Sequence, residues 1–154
     1  MNFFNVSLIN TICLSLTFNL FFLMEERNII FYDGECGFCQ ATIQFLLDHD
    51  KKGTIHYASI QSVFTVNFFK QIGEDQPDLS TFYFFVNGEL KSKSSGALSV
   101  VKYLSLPFPF LVIFKIIPRF IRDFVYNIIS RNRLKLASNS CRIPTPEEKK
   151  RFIS

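Results

Sequence analysis

The first 23 positions of this 154-residue chain carry no charge, and glycine, proline, cysteine and histidine are sparse, at six, six, four and two residues. Each scarcity excludes something. So little glycine and proline rules out a collagen-like repeat, and 48% apolar residues with 20 phenylalanines rule out intrinsic disorder. The cysteines, at 13, 36, 39 and 141, are too few and too unevenly placed to staple a small domain, so they serve chemistry or nothing. A second Cys-x-x-Cys and a His-x-x-x-His are both missing, which leaves zinc short of its usual four ligands. The chain has no internal repeat, no low-complexity tract and no nucleic-acid-binding module. What remains is one domain's length with an aromatic-rich core.

Charge divides the chain into regions. Residues 24–114 hold 7 Lys/Arg against 10 Asp/Glu, while residues 115–154 hold 10 against 3, so a mildly acidic body precedes a basic tail. Residues 1–23 are long enough and apolar enough to suggest a membrane anchor. They lack the basic start and the small-residue cleavage site of a signal peptide, and Glu25-Glu26 follows with no basic anchor. Met24 offers an alternative start, which would make residues 1–23 a mis-assigned extension. The expected organisation is therefore an apolar extension at 1–23 and one domain at 24–154, cytoplasmic unless the extension anchors it to a membrane.

From residue 28 the pattern alternates. Asn-Ile-Ile-Phe-Tyr at 28–32 reads as a buried strand that ends at Asp33-Gly34. Cys39, Ile43, Leu46 and Leu47 mark one face of a helix over 37–48, and a strand over 55–58 follows, as in a right-handed βαβ crossover. A helix is expected over 61–72, a strand over 81–86, a hairpin turn at Asn87-Gly88, a return strand over 90–92 and a helix over 95–104. This α/β order, βαβαββα, resembles the thioredoxin-like fold, with a C-terminal helical extension. The apolar stretch 106–129 is no span, because three prolines and four charges interrupt it. Phe120, Phe124 and Ile128 form a stripe on a helix over 119–131, which predicts that this stripe packs on the core while Arg122, Asp123 and Asn127 face away. Pro144-Thr145-Pro146-Glu147-Glu148 opens a last short helix.

The chemistry gathers where the first strand hands over to the first helix, at Cys36-Gly37-Phe38-Cys39. Two sulfurs at this spacing can form a disulfide, and the N–H groups and positive end of the helix stabilise a thiolate on the leading one. Cys36 is therefore the expected nucleophile. Cys39, one turn in, is the expected resolving cysteine, lying beneath Cys36 and less exposed to solvent. Asp33 caps the turn or takes the proton from Cys39 during resolution. Phe38 covers the sulfurs or meets substrate. With Asp33 and Glu35 nearby and no basic residue between the cysteines, a reducing potential is expected. His49 reads as a cap or a solvated residue, His56 as satisfied within the fold, and the basic run of Arg119, Arg122, Arg131, Arg133 and Lys135 as a solvated helix face.

These residues resemble the DCC family of predicted thiol-disulfide oxidoreductases, through Asp33-Gly34-x-Cys36-Gly37-x-Cys39. The likeness continues through Ser94-Ser95-Gly96-Ala97, Pro118, Ile121-Arg122-Asp123, Val125-Tyr126, Asn132-Arg133 and Cys141-Arg142-Ile143-Pro144-Thr145-Pro146-Glu147. Two departures stand out. Leu134-Lys135-Leu136-Ala137 replaces the Phe-Gly common before the late cysteine, and Ser80-Thr81 occupies the place where a thioredoxin-like fold usually sets a cis-proline opposite the dithiol. Thr81 thus becomes the candidate substrate contact there, together with Phe38.

The expected activity is exchange of electrons between the Cys36–Cys39 pair and a protein or small-molecule disulfide, as in a protein-disulfide reductase. A separate electron donor re-reduces the pair; no bound cofactor or metal and no nucleic-acid partner are expected, and the chain is expected to be monomeric. An alternative from another class is a metal-binding or membrane-surface adaptor that uses the dithiol as a ligand site.

Overall fold

A computed structural model describes residues 27–135 and 144–153. Residues 1–23, Cys13, the Met24 start and Cys141 lie outside them. Ten elements matter for the site. They are β1 (Asn28–Tyr32), α1 (Gly37–His49), β2 (Ile55–Ser59), α2 (Val63–Gln71), β3 (Tyr83–Val86), β4 (Glu89–Ser92), α3 (Lys93–Val100), α4 (Arg119–Asn132), α5 (Pro146–Lys149) and β5 (Phe152–Ile153). Short 3₁₀ segments, Val101–Tyr103 and Phe108–Ile116, join α3 to α4.

The sheet runs β4-β3-β1-β2-β5. β1 and β2 pair in parallel across the α1 crossover, with Ile30 opposite Tyr57, and β3 and β4 add antiparallel neighbours on the other side. This is an α/β fold with a mixed central sheet, in keeping with a thioredoxin-like architecture. Because successive strand residues point to opposite faces, β1 feeds two cores. Ile30 packs with Ile43, Leu46, Leu47 and Phe84 under α1 and α3. Ile29 and Phe31 pack on the other face with Phe68, Phe69 and Phe85. Much of the phenylalanine is accounted for there, where Phe31 and Phe69 meet edge to face at 5.1 Å and Phe68 and Phe85 at 4.9 Å.

Several boundaries move for identifiable reasons. Ser62 caps α2 by accepting from the Thr65 N–H at 3.2 Å, so that helix begins at Val63 rather than at 61. β3 begins at Tyr83 rather than Thr81, because the Phe82 N–H leaves the sheet to donate to the Tyr126 hydroxyl at 2.8 Å. The hairpin turn forms as expected, with positive φ at both Asn87 and Gly88 (52° and 75°). Among the described residues the cis peptide is Leu106–Pro107, away from the Ser80-Thr81 loop.

The tail holds a strand that its polar composition conceals. A capping box at Thr145 and Glu148 starts α5, and Phe152 and Ile153 then pair in parallel with Tyr57 and Ala58 of β2. Arg151 fastens this edge: its guanidinium is ion-paired with the buried Asp50 and donates to the Ile55 carbonyl at 2.9 Å.

The larger correction concerns α4. The stripe expected on the core points outward, with Phe120 74% and Phe124 66% exposed. The polar residues turn inward instead. Asp123 accepts from the buried Ser94 hydroxyl, Tyr126 accepts from the Phe82 N–H, and Ser130 donates to the Ser80 carbonyl at 2.6 Å. The body offers this helix unpaired backbone groups at the entry to β3, and polar side chains satisfy such groups where apolar ones cannot.

Candidate active site

Asp33 ends β1, and the turn that follows delivers Cys36 to the cap of α1. The Cys36 N–H points to the Asp33 carbonyl at 3.4 Å, and the Cys36 carbonyl accepts the first helical hydrogen bond, from Gln40, at 2.9 Å. Side chains brace the turn from both sides. Gln40 donates to the Gly34 carbonyl at 2.6 Å, and Gln61, at the far end of β2, accepts from the Gly34 N–H at 3.2 Å. Gly34 has little room to be anything else, since a Cβ there would meet the Ser59 hydroxyl at 3.1 Å.

Both site cysteines are free thiols. Their exposures reverse the expected order: Cys36 is buried, at 3%, and Cys39 is the more open of the two. The reason is a cavity of about 370 Å³ beside α1, with Phe38, Cys39, Thr81, Phe82, Tyr126 and Arg133 in its wall. Cys39 lies on the side of α1 that borders this space, whereas Cys36 closes under the turn. The Cys39 thiol is pushed up to about 12 by burial first, then by the neighbouring Cys36 side chain. Arg133 and a backbone hydrogen bond from Asp33 act the other way. Cys39 thus holds its proton well above the ordinary thiol value, and the two thiols lie one helical turn apart at the start of α1.

Asp33 is buried and fully engaged. Its Oδ1 accepts from the Glu35 N–H at 3.0 Å and from Gln61 Nε2 at 2.8 Å, and its Oδ2 lies 3.5 Å from the Arg133 guanidinium. The turn-capping role is thus realised. Arg133 reaches further, with one nitrogen 4.0 Å from the Cys39 sulfur and donating also to the Leu79 carbonyl. It joins Asp33, Cys39 and the loop before β3, and is no part of a solvated face.

Phe38 and Thr81, the expected substrate contacts, both line the cavity. The Thr81 N–H is already spent on the Asp78 carbonyl at 3.1 Å, so its backbone edge is partly occupied. His49 packs between Phe45 and Phe108 and bonds the Phe45 carbonyl through Nδ1 at 2.7 Å. His56 departs from expectation, for its Nδ1 is buried without a partner among the described residues. Among those residues, no three His, Cys, Asp or Glu side chains come together as a metal site.

This geometry has relatives. The model of the DCC1-like thiol-disulfide oxidoreductase family matches residues 30–139. The chain belongs to that family. It is 33% identical over 129 residues to the uncharacterized protein YuxK of Bacillus subtilis (strain 168), covering 82% of this chain and 94% of that protein. It is 32% identical over 126 residues to a chloroplastic DCC family protein of Arabidopsis thaliana, covering 80% of this chain and 73% of the relative. No solved structure matches. Membership supports thiol-disulfide redox activity in general terms. Arg133, the site residue that local reading assigned to a solvated face, falls inside the matched region, and its signal in the sequence was the Asn132-Arg133 pair shared with the family pattern.

Proposed function

We propose that the protein reduces disulfides through Cys36 and Cys39, in the manner of a protein-disulfide reductase, and works in the cytoplasm with a separate dithiol as electron donor. The Cys36 thiolate attacks one sulfur of the substrate disulfide, and the other sulfur leaves as a thiol after taking a proton. Cys39 then gives up its proton to Asp33 and attacks Cys36, which releases the second substrate thiol and leaves a Cys36–Cys39 disulfide. The donor's two thiols return the pair to the reduced state. Atoms and electrons balance: one disulfide is formed on the enzyme for each one broken in the substrate.

The observation that carries this reading is the placement of two free thiols at the strand-to-helix turn, Cys36 at the cap of α1 and Cys39 one turn in beside the cavity. The thiolate is the nucleophile, and the N–H groups and positive end of α1 favour that form on Cys36, the cysteine at the helix cap. Phe38 and Thr81 in the cavity wall favour a substrate with an apolar group beside its disulfide. Arg133 lies 4.0 Å from the Cys39 sulfur, yet that thiol stays well above its ordinary value, so the reduced pair gains little charge stabilisation there and a reducing couple remains the proposal.

Trapping tests it. A Cys39→Ser variant should accumulate a mixed disulfide on Cys36 when offered oxidised substrate, identifiable by peptide mass spectrometry. Accumulation on Cys39 in Cys36→Ser, with none on Cys36 in the reciprocal variant, would reverse the two roles.

A further inference from the structure

Large apolar side chains in the open are not scattered over this protein. Of the 16 that are exposed among the described residues, 13 lie between residues 106 and 134. Eleven of these come from two consecutive segments, the 3₁₀ segment Phe108–Ile116 and α4, and include Phe110 (73% exposed), Phe114, Ile116 (81%), Phe120, Phe124 and Ile128. Monomeric soluble proteins seldom leave so many neighbouring apolar side chains bare without a use for them.

The charge around this face has one sign. Residues 101–135 contain seven Lys/Arg and a single acid, Asp123. Asp123 is turned toward the body, bonded by Ser94 and paired with Arg119 at 3.6 Å. Lys115 and Arg119 stand exposed where α4 begins, and Arg131 and Lys135 where it ends. The chain thus presents phenylalanine and isoleucine to the outside with cations at both ends and no outward-facing acid among the described residues of that stretch. Such a face suits neither water nor another basic surface.

We propose that this face is a docking surface for an anionic phospholipid bilayer, with α4 lying in the plane of the interface. The chemistry is that of an amphipathic helix whose aromatic and aliphatic side chains sink into the headgroup and acyl boundary while lysine and arginine reach back to phosphates. No helix among the described residues is long and apolar enough to cross a membrane, and an in-plane arrangement requires none. α4 is tethered on its opposite side by Tyr126, Ser130 and Arg133, so docking leaves those contacts intact. The inference concerns the surface alone and does not depend on the redox reading.

Sedimentation of the full chain with phospholipid vesicles is the test. The protein should pellet with vesicles of one part phosphatidylglycerol to three parts phosphatidylcholine, should bind pure phosphatidylcholine much more weakly, and should be released by added salt. A Phe120→Ser/Phe124→Ser variant removes two exposed rings without touching either core, and should lose at least about tenfold in partitioning. A Val63→Ser variant, which alters an exposed apolar side chain on α2, should bind like the parent. Equal binding by the Phe120/Phe124 variant would place lipid affinity elsewhere, residues 1–23 included, and overturn the proposal. So would a failure to bind anionic vesicles, or a lipid-free dimer that the same substitutions dissolve and that vesicles leave intact.

Discussion

Helices α1 and α4 are both amphipathic, yet they sit on the same body with opposite faces inward. α1 buries Ile43, Leu46 and Leu47 against the sheet and leaves Asp48 exposed on the other side. α4 turns hydrogen bonds to the body: Tyr126 and Ser130, with Arg133 just past its end, satisfy the Phe82 N–H and the Ser80 and Leu79 carbonyls, and its phenylalanines look out. The difference lies in what each helix is offered. α1 crosses over two parallel strands whose ladder is complete, so only apolar surface is left to cover. α4 meets the irregular entry to β3, where backbone groups lack a strand partner. A stripe in a sequence shows that a helix has two faces, and the neighbour decides which of them is buried.

Truncating the inward face of α1 should do the most damage. Leu46→Ala empties core volume under the sheet and should cost about 2–5 kcal/mol, measured as a lower urea midpoint. The matching truncation on α4, Phe124→Ala, should stay within about 0.5 kcal/mol, because that ring is already in solvent. Similar losses at the two sites would mean that α4 faces the core after all.

A smaller effect belongs to the polar side of α4. Tyr126→Phe keeps the ring and removes the oxygen that accepts from the Phe82 N–H, so a largely covered donor is left unpaired, at a cost of about 1–3 kcal/mol. If the substitution proves neutral, the hydrogen bonds under α4 do not hold it in place.

The subtlest difference is in pH dependence and comes from α1. Cys39's thiol sits far above its ordinary value of 9.0, so the folded protein keeps a proton that the unfolded chain gives up. That contribution to stability is complete below pH 9.0 and is lost as pH rises toward about 12. The stability difference between reduced parent and Cys39→Ser should therefore shift against the parent as alkali is added. Parallel profiles for the two proteins would show that burial and the neighbouring Cys36 side chain do not hold that proton.

What could be seen in the sequence followed the range over which each feature is built. β1, the turn, the cysteine pair and α1 lie within 22 consecutive residues, 28–49, and strand pattern, turn residues and helical spacing were enough to assemble them. The order of the first seven elements was equally legible. Three features were not. Arg133 reaches Cys39 across a separation of 94 residues, so no pattern local to the cysteines announces its charge. β5 is two residues long and is secured by Arg151 on a buried Asp50, 101 residues away, and periodicity says nothing of that pairing. The relative exposure of the cysteines depends on a cavity walled by α1, α3, α4 and the loop before β3, which only the assembled fold defines.

The central claim is that Cys36 and Cys39 exchange a disulfide reversibly, and a thiol redox titration followed by intact-mass and peptide-mass measurement tests it most directly. One two-electron transition is expected, with an intramolecular Cys36–Cys39 bond in the oxidised form and a potential well on the reducing side of about −120 mV. Two thiols that never join across the accessible range, or that pair with other cysteines instead, would contradict it.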